Sequence, residues 1–142
     1  MKKLIVLIAG AAMLAGLAGC DSTSEKTATT EDLLHHRFVL IQENGKEVPA
    51  DKQAYIEFGE GLMINGKMCN RFFGKTTLTD GVLTSPGIAS TKMLCADEQL
   101  NALDSTIGQI FKDGAKATLS DKNLTLTSGT TTLVYKLSDL VN

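Results

Sequence analysis

Histidine and cysteine are scarce in this chain, two and three of 142 residues, and basic residues hold no majority, 14 against 16 acidic. Each shortage closes a class of function. Nucleophilic catalysis needs an oriented base beside the nucleophile, and only His35 and His36 could offer an imidazole. Neighbours in extended chain point to opposite faces, so one of them packs inward at most, and both are read as structural. No Gly-rich phosphate cradle, His-Glu-x-x-His pair or nucleophile elbow occurs. Carboxylates are dispersed singly, and the cysteines lack the close Cys-x-x-Cys spacing of zinc sites. No enzyme activity, metal or cofactor is therefore expected. The cations are scattered from Lys26 to Lys136, leaving no basic stripe for a phosphate backbone, so nucleic acid is not expected as a partner.

The N-terminus carries the strongest signal. Met1-Lys2-Lys3, an apolar run from Leu4 to about Ala18 and small residues before Cys20 describe a secretory signal peptide over residues 1–19. A membrane span needs about 20 apolar residues with flanks on both sides. Leu17-Ala18-Gly19-Cys20 resembles the bacterial lipobox, which implies a diacylglycerol on the Cys20 sulfur and cleavage before it. Two or more acyl chains anchor stably where one does not. The mature chain would then face the oxidising periplasm, tied to the membrane through Cys20. Asp21 directly after the lipidated residue favours retention on the inner membrane, with the outer membrane as the alternative. Cleavage leaves 123 of the 142 residues, enough for one domain. Losing Lys2 and Lys3 takes the basic count from 14 to 12 against 16 acids, a net charge of about −4. Asp21 to Thr30 holds no large apolar residue and reads as a flexible leash, so residues 20–30 form the linker and 31–142 the domain.

Beyond it, Thr29-x-x-Asp32 has the form of a helix N-cap, followed by a turn or two of helix. Phe38-Val39-Leu40-Ile41 is a continuous apolar run, expected as a strand buried on both faces. Asn44-Gly45 supplies the two left-handed residues of a type I′ hairpin. Turn signals recur at Gly59-Glu60-Gly61, Asn65-Gly66, Asp80-Gly81, Asp121-Lys122-Asn123 and Ser128-Gly129, with short alternating segments between them. That spacing predicts an antiparallel sheet rolled into a small barrel or sandwich. From Asp97 to Lys112, Leu100, Leu103, Ile107, Ile110 and Phe111 recur at helical spacing, with acids in the first turn, Lys112 in the last and Gly114 as the stop. Gly108 inside this helix hints at close packing. The expected class is α+β: a small antiparallel β-barrel-like sheet with one long amphipathic helix packed on it.

Once Cys20 is committed to lipid, Cys69 and Cys95 remain as an even pair in an oxidising compartment. A disulfide is expected, with metal ligation and a thiol catalyst as the competing readings. Closing about 27 residues contributes roughly 3 to 4 kcal/mol in the chain-entropy model. Met63, Met68 and Met93 read as core filler.

Gly66-Lys67-Met68-Cys69-Asn70-Arg71-Phe72-Phe73-Gly74, Ile88-Ala89-Ser90-Thr91-Lys92-Met93-Leu94-Cys95 and Glu98-Gln99 with Leu103 together resemble the META domain over roughly His35 to Leu140. The resemblance implies a small β-rich barrel-like α+β domain, induction with envelope or heat stress, an association with novobiocin resistance and no established catalytic mechanism. Beside the cysteines, Asn70 and Arg71 are the most suggestive polar pair. They read either as turn and sheet-edge residues or, with Thr91 and Lys92 brought near by the bridge, as a recognition patch for an acidic partner. The expected function is that of an anchored envelope lipoprotein that meets an unknown protein partner through its folded face. The alternative is a carrier whose barrel interior binds a small amphiphile, a lipid or an amphiphilic drug.

Overall fold

The computed structural model describes residues 25–140; the expected signal peptide and Cys20 lie outside the described residues. The first strand, β1 (Lys26–Thr27), pairs antiparallel with a strand near the C-terminus, and Ala28 is buried. Residues 26–28 of the expected leash are therefore ordered. Helix α1 (Thr30–Leu33) follows, with a capping box in which the Thr29 hydroxyl accepts from the Asp32 amide and the Asp32 carboxylate accepts from the Thr29 amide. It stops because His35 adopts φ +65° and donates its amide to the carbonyl of Phe58 at 2.7 Å.

The chain then runs through β2 (His36–Glu43), β3 (Lys46–Glu47), β4 (Tyr55–Phe58), β5 (Met63–Lys67), β6 (Arg71–Lys75), β7 (Thr77–Thr79), β8 (Val82–Thr84) and β9 (Ile88–Ser90). Helix α2 (Glu98–Asp113) leads into β10 (Ala115–Ser120), β11 (Asn123–Ser128) and β12 (Thr131–Leu140). The strands form a single antiparallel sheet in the order β7-β8-β10-β11-β12-β2-β4-β5-β6-β9, with β1 added to β10 and β3 to β2. The sheet curls around one core but does not close, since β7 and β9 end the path without pairing with each other. The expected barrel is thus an open, curled half-barrel.

Turn chemistry accounts for the hairpins. Asn44 and Gly45 take φ +52° and +81°, and Asp80 and Gly81 take +52° and +79°, the doubly left-handed pattern of I′ turns. Asn65-Gly66 is no turn. Both residues lie inside β5, and a Cβ on Gly66 would collide with the Tyr55 carbonyl oxygen and the Phe72 ring. The glycine answers to that close approach of neighbouring strands. Alternation, not a double-sided run, describes β2: Phe38 and Leu40 point into the core while Val39 and Ile41 stay half-exposed.

The hollow of the sheet is filled by large side chains, among them Phe38, Phe58, Phe72 and Tyr135, with Phe38 and Phe58 edge to face at 6.1 Å. Helix α2 covers it with Leu103, Ile107, Ile110 and Phe111, a stripe at i, i+4, i+7 and i+8, and packs against β8 and β11. Asp97 caps its N-terminus by accepting from the Leu100 amide, and Gly114 ends it at φ +104°. Gly108 does not mark a tight contact, for nothing lies within 4 Å of the place its Cβ would occupy. Met68 is fully buried, but Met63 and Met93 are exposed, so only one of the three expected core methionines fills core. Tyr135 is enclosed with no hydrogen-bond partner for its hydroxyl, and burial pushes its pKa up.

Gly108→Ala should raise stability by about 0.5 to 1 kcal/mol through helix propensity, whereas Gly66→Ala should lower it by roughly 1 to 3 kcal/mol through overpacking. Tyr135→Phe removes a hydroxyl that gains nothing in the core, and should be neutral or stabilising by about 1 kcal/mol. Chemical denaturation of the three variants beside the parent checks all three signs.

Candidate functional site

The hairpin loop between β5 and β6, Met68-Cys69-Asn70, is where the most polar contacts converge. Cys69 and Cys95 form a disulfide, with their Cα atoms 5.9 Å apart. Beside it, Asn70 is buried and uses every hydrogen-bonding position of its amide. Its Oδ1 accepts from the Met93 amide at 2.7 Å and the Thr91 hydroxyl at 2.8 Å. Its Nδ2 donates to the Met93 carbonyl at 2.9 Å and to Asp104 Oδ2 at 2.6 Å. Asp104, on the core-side flank of α2, also accepts from the amides of Cys69 at 3.0 Å and Asn70 at 2.9 Å. One turn earlier on the helix, Asn101 accepts from the Cys95 amide and donates to the Cys95 carbonyl.

Three segments are joined here: the β5–β6 hairpin, the stretch after β9 and the helix. An open groove of about 700 Å³ runs between α2 and Ser90–Leu94, floored by Asn70 and Asp104. Its floor has its polar atoms committed to internal bonds, so it offers few free groups to a ligand. Among the described residues, no cluster of three or more His, Cys, Asp or Glu could hold a metal ion.

The four residues of the expected recognition patch therefore separate by role. Asn70 does not face outward; it is an internal tie, and the Thr91 hydroxyl is turned toward it. Arg71 and Lys92 are exposed. His35 and His36 do not converge. His35 Nε2 lies 3.0 Å from the carboxylate of exposed Glu60, and His36 Nδ1 lies 2.8 Å from the Leu34 carbonyl. Asp104 and Asn101 went unread in the sequence, because a polar residue at helical spacing looks like a solvated face until the hairpin it meets is known.

Two carboxyls feel their surroundings. Hydrogen bonding from Lys52, 3.0 Å away, and from the Leu100 amide holds Asp97 below the usual carboxylate range. Burial raises Asp32, but bonds from Lys26 and from Thr29 outweigh it and the net shift is downward.

A model of the META domain family matches residues 31–139. The chain is 48% identical to the heat shock protein HslJ of Escherichia coli strain K12 over 143 aligned positions, covering all of both chains. A solved NMR structure of a protein 52% identical in sequence covers 81% of this chain and 99% of its own at a TM-score of 0.74. A second NMR structure, of a protein from Burkholderia xenovorans, covers 87% and 94% at a TM-score of 0.65 with 20% identity, a likeness of fold.

Asn70→Ala strands the Met93 peptide group and one oxygen of Asp104 at once, and should cost about 3 kcal/mol; equilibrium unfolding measures it. Reduction of the disulfide should cost a similar 3 to 4 kcal/mol, roughly, by the chain-entropy argument. Both shifted carboxyls have folded pKa values below their unfolded ones. Their stabilisation is present above about pH 4 and is lost as pH falls through the folded values. Stability should therefore drop in acid, and Asp97→Asn, which keeps the cap and loses the charge, should flatten that drop.

Proposed function

We propose, for a chain that belongs to the META domain family, a non-enzymatic role in envelope stress tolerance, exercised from a lipid anchor at Cys20 with the domain facing the periplasm. The observation that carries this reading is the end-to-end likeness to a protein named for heat shock, 48% identical with both chains fully covered. The Leu17-Ala18-Gly19-Cys20 sequence supports the anchor, and Asp21 favours the inner membrane over the outer. The folded domain works by binding an envelope component, and tolerance of novobiocin is part of the same role. Catalysis has no footing in a knot whose polar atoms are spent on each other. A carrier function inside the sheet is disfavoured on volume, because Tyr135, Phe38, Phe58, Phe72 and Phe111 occupy that space; an amphiphile would have to sit on the outside.

Metabolic labelling with radioactive palmitate should mark the parent chain and leave Cys20→Ser unlabelled. Cells lacking the protein should survive heat and novobiocin less well, and only the anchored form at matched protein level should restore them. An unlabelled parent would remove the anchor; full survival without the protein would remove the stress role.

A further inference from the structure

The outer face of the β5–β6 hairpin is built against the interests of the fold. Outward positions alternate along each strand, and on β6 they are Arg71, Phe73 and Lys75, all exposed. Across the ladder, Lys67 stands opposite Arg71, Asn65 opposite Phe73 and Met63 opposite Lys75. Two cations directly opposite one another on adjacent strands destabilise a sheet. None of Lys67, Arg71 or Lys75 takes part in an ion pair among the described residues. The nearest carboxylate along the rows, Glu57 opposite Asn65, is already paired with Arg37, which also stacks on Tyr55 at 4.5 Å.

Phe73 sits in the middle of this face, 55% exposed, flanked by Asn65 and Ala89, which are too short to cover it. Among the described residues, the four large hydrophobic residues that stand exposed, Met63, Phe73, Met93 and Leu94, all belong to the stretch 61–96. That same stretch holds four cations, Lys67, Arg71, Lys75 and Lys92, against a single acid, Asp80, in a chain whose net charge is −2. Of these, Lys67, Arg71, Lys75, Met63 and Phe73 share the hairpin face, while Lys92, Met93 and Leu94 border the groove beside α2. An aromatic side chain surrounded by Lys and Arg suits the boundary between headgroups and acyl chains.

We propose that this face, centred on Phe73 and carried by Lys67, Arg71 and Lys75, docks on the anionic surface of the lipid bilayer. The inference rests on the Cys20 anchor proposed above. Four residues lie between Cys20 and Glu25, five steps of chain with a reach of about 17 Å when extended, so the tether keeps the domain at high effective concentration over the bilayer. It also leaves from the appropriate end. Thr27, just inside the first described residues, packs its methyl group against Gly81 in the β7–β8 turn. From that turn β7 runs three residues, about 10 Å, back toward Thr76 and Lys75. Docking would lay the hairpin on the headgroups and leave α2 and its groove for other partners.

The chain contains no tryptophan, so Phe73→Trp is a single-site reporter. The processed, acylated protein carrying it would be added to vesicles of phosphatidylcholine alone and to vesicles enriched in phosphatidylglycerol, with cosedimentation followed alongside. Expected are a blue-shifted emission and quenching by brominated lipid on the anionic vesicles only, reversed by high salt. Each cation is worth about fivefold near such a surface. Changing Lys67, Arg71 and Lys75 together to Gln should therefore shift the docked-to-undocked ratio by roughly a hundredfold. Met63→Trp, across the ladder from Lys75 on the same face, gives a second reporter should the substitution at Phe73 perturb the hairpin. Emission that stays water-like on vesicles that carry the protein down would overturn the docking face and spare the anchor. Equal quenching on neutral vesicles would overturn the role of charge. A shift with polyglutamate but none with vesicles would overturn the bilayer in favour of an acidic protein. A shift on anionic vesicles without cosedimentation on neutral ones would uphold the face and remove the anchor.

Discussion

The amide side chain of Asn70 is the point on which the arrangement of sheet and helix depends. Four hydrogen bonds leave it, two accepted and two donated, and they reach Thr91, both sides of the Met93 residue's backbone and Asp104. Asp104 binds the same hairpin loop through two backbone amides. The half-buried site lowers the competing claim of water, so a fully satisfied network of this kind rigidifies, while any half-satisfied version of it would be costly. The Cys69–Cys95 bridge closes the same junction covalently. Bond and bridge are complementary in effect: the disulfide limits the unfolded chain, and the amide network selects one native geometry.

That junction solves a problem set by the open sheet. A half-barrel leaves its hollow uncovered on one side, and α2 must be held there by more than its apolar stripe. Its N-terminal half is held through Asp97 to Lys52, through Asn101 to Cys95 and through Asp104 to the hairpin. Its C-terminal half is held by packing of Ile107, Ile110 and Phe111. With the loop residues turned inward, the chemistry left for the outside lies on the strands that leave the loop. Arg71 is next to Asn70 in sequence and turned the other way in consequence. The proposed bilayer face and the structural knot are therefore two sides of one hairpin, and the stability of the first is supplied by the second.

How legible this was from residues alone varied with the range of the interaction. Local signals were reliable: Asn44-Gly45 and Asp80-Gly81 turn where φ above zero is needed, and Asp97 and Gly114 bound the long helix. The same reasoning failed where a local motif answered to a neighbour distant in sequence. Asn65-Gly66 has turn chemistry, yet its glycine is there because Tyr55 and Phe72 leave no room for a Cβ. Phe73, Met63 and Met93 are apolar and were expected inside or left unread, yet all three stand exposed, Met63 and Phe73 through strand alternation and the β5–β6 register. Lys26 and Thr27 look like linker because they bury nothing themselves; the backbone of β10 holds them. Asn70 was legible as a residue of interest and illegible in its role, since Asp104 lies 34 residues away along the chain.

Native-state hydrogen exchange at the Met93 amide tests the central claim most directly. Met93 lies outside any strand or helix, the residue is 65% exposed, and its amide is held by one bond of 2.7 Å to Asn70. If the Asn70 junction governs the assembly of helix on sheet, this amide exchanges only with global unfolding, alongside the core amides of β2 and β12. Exchange of Met93 at the much lower free energy typical of an exposed loop would show the junction opening by itself, and would contradict the account.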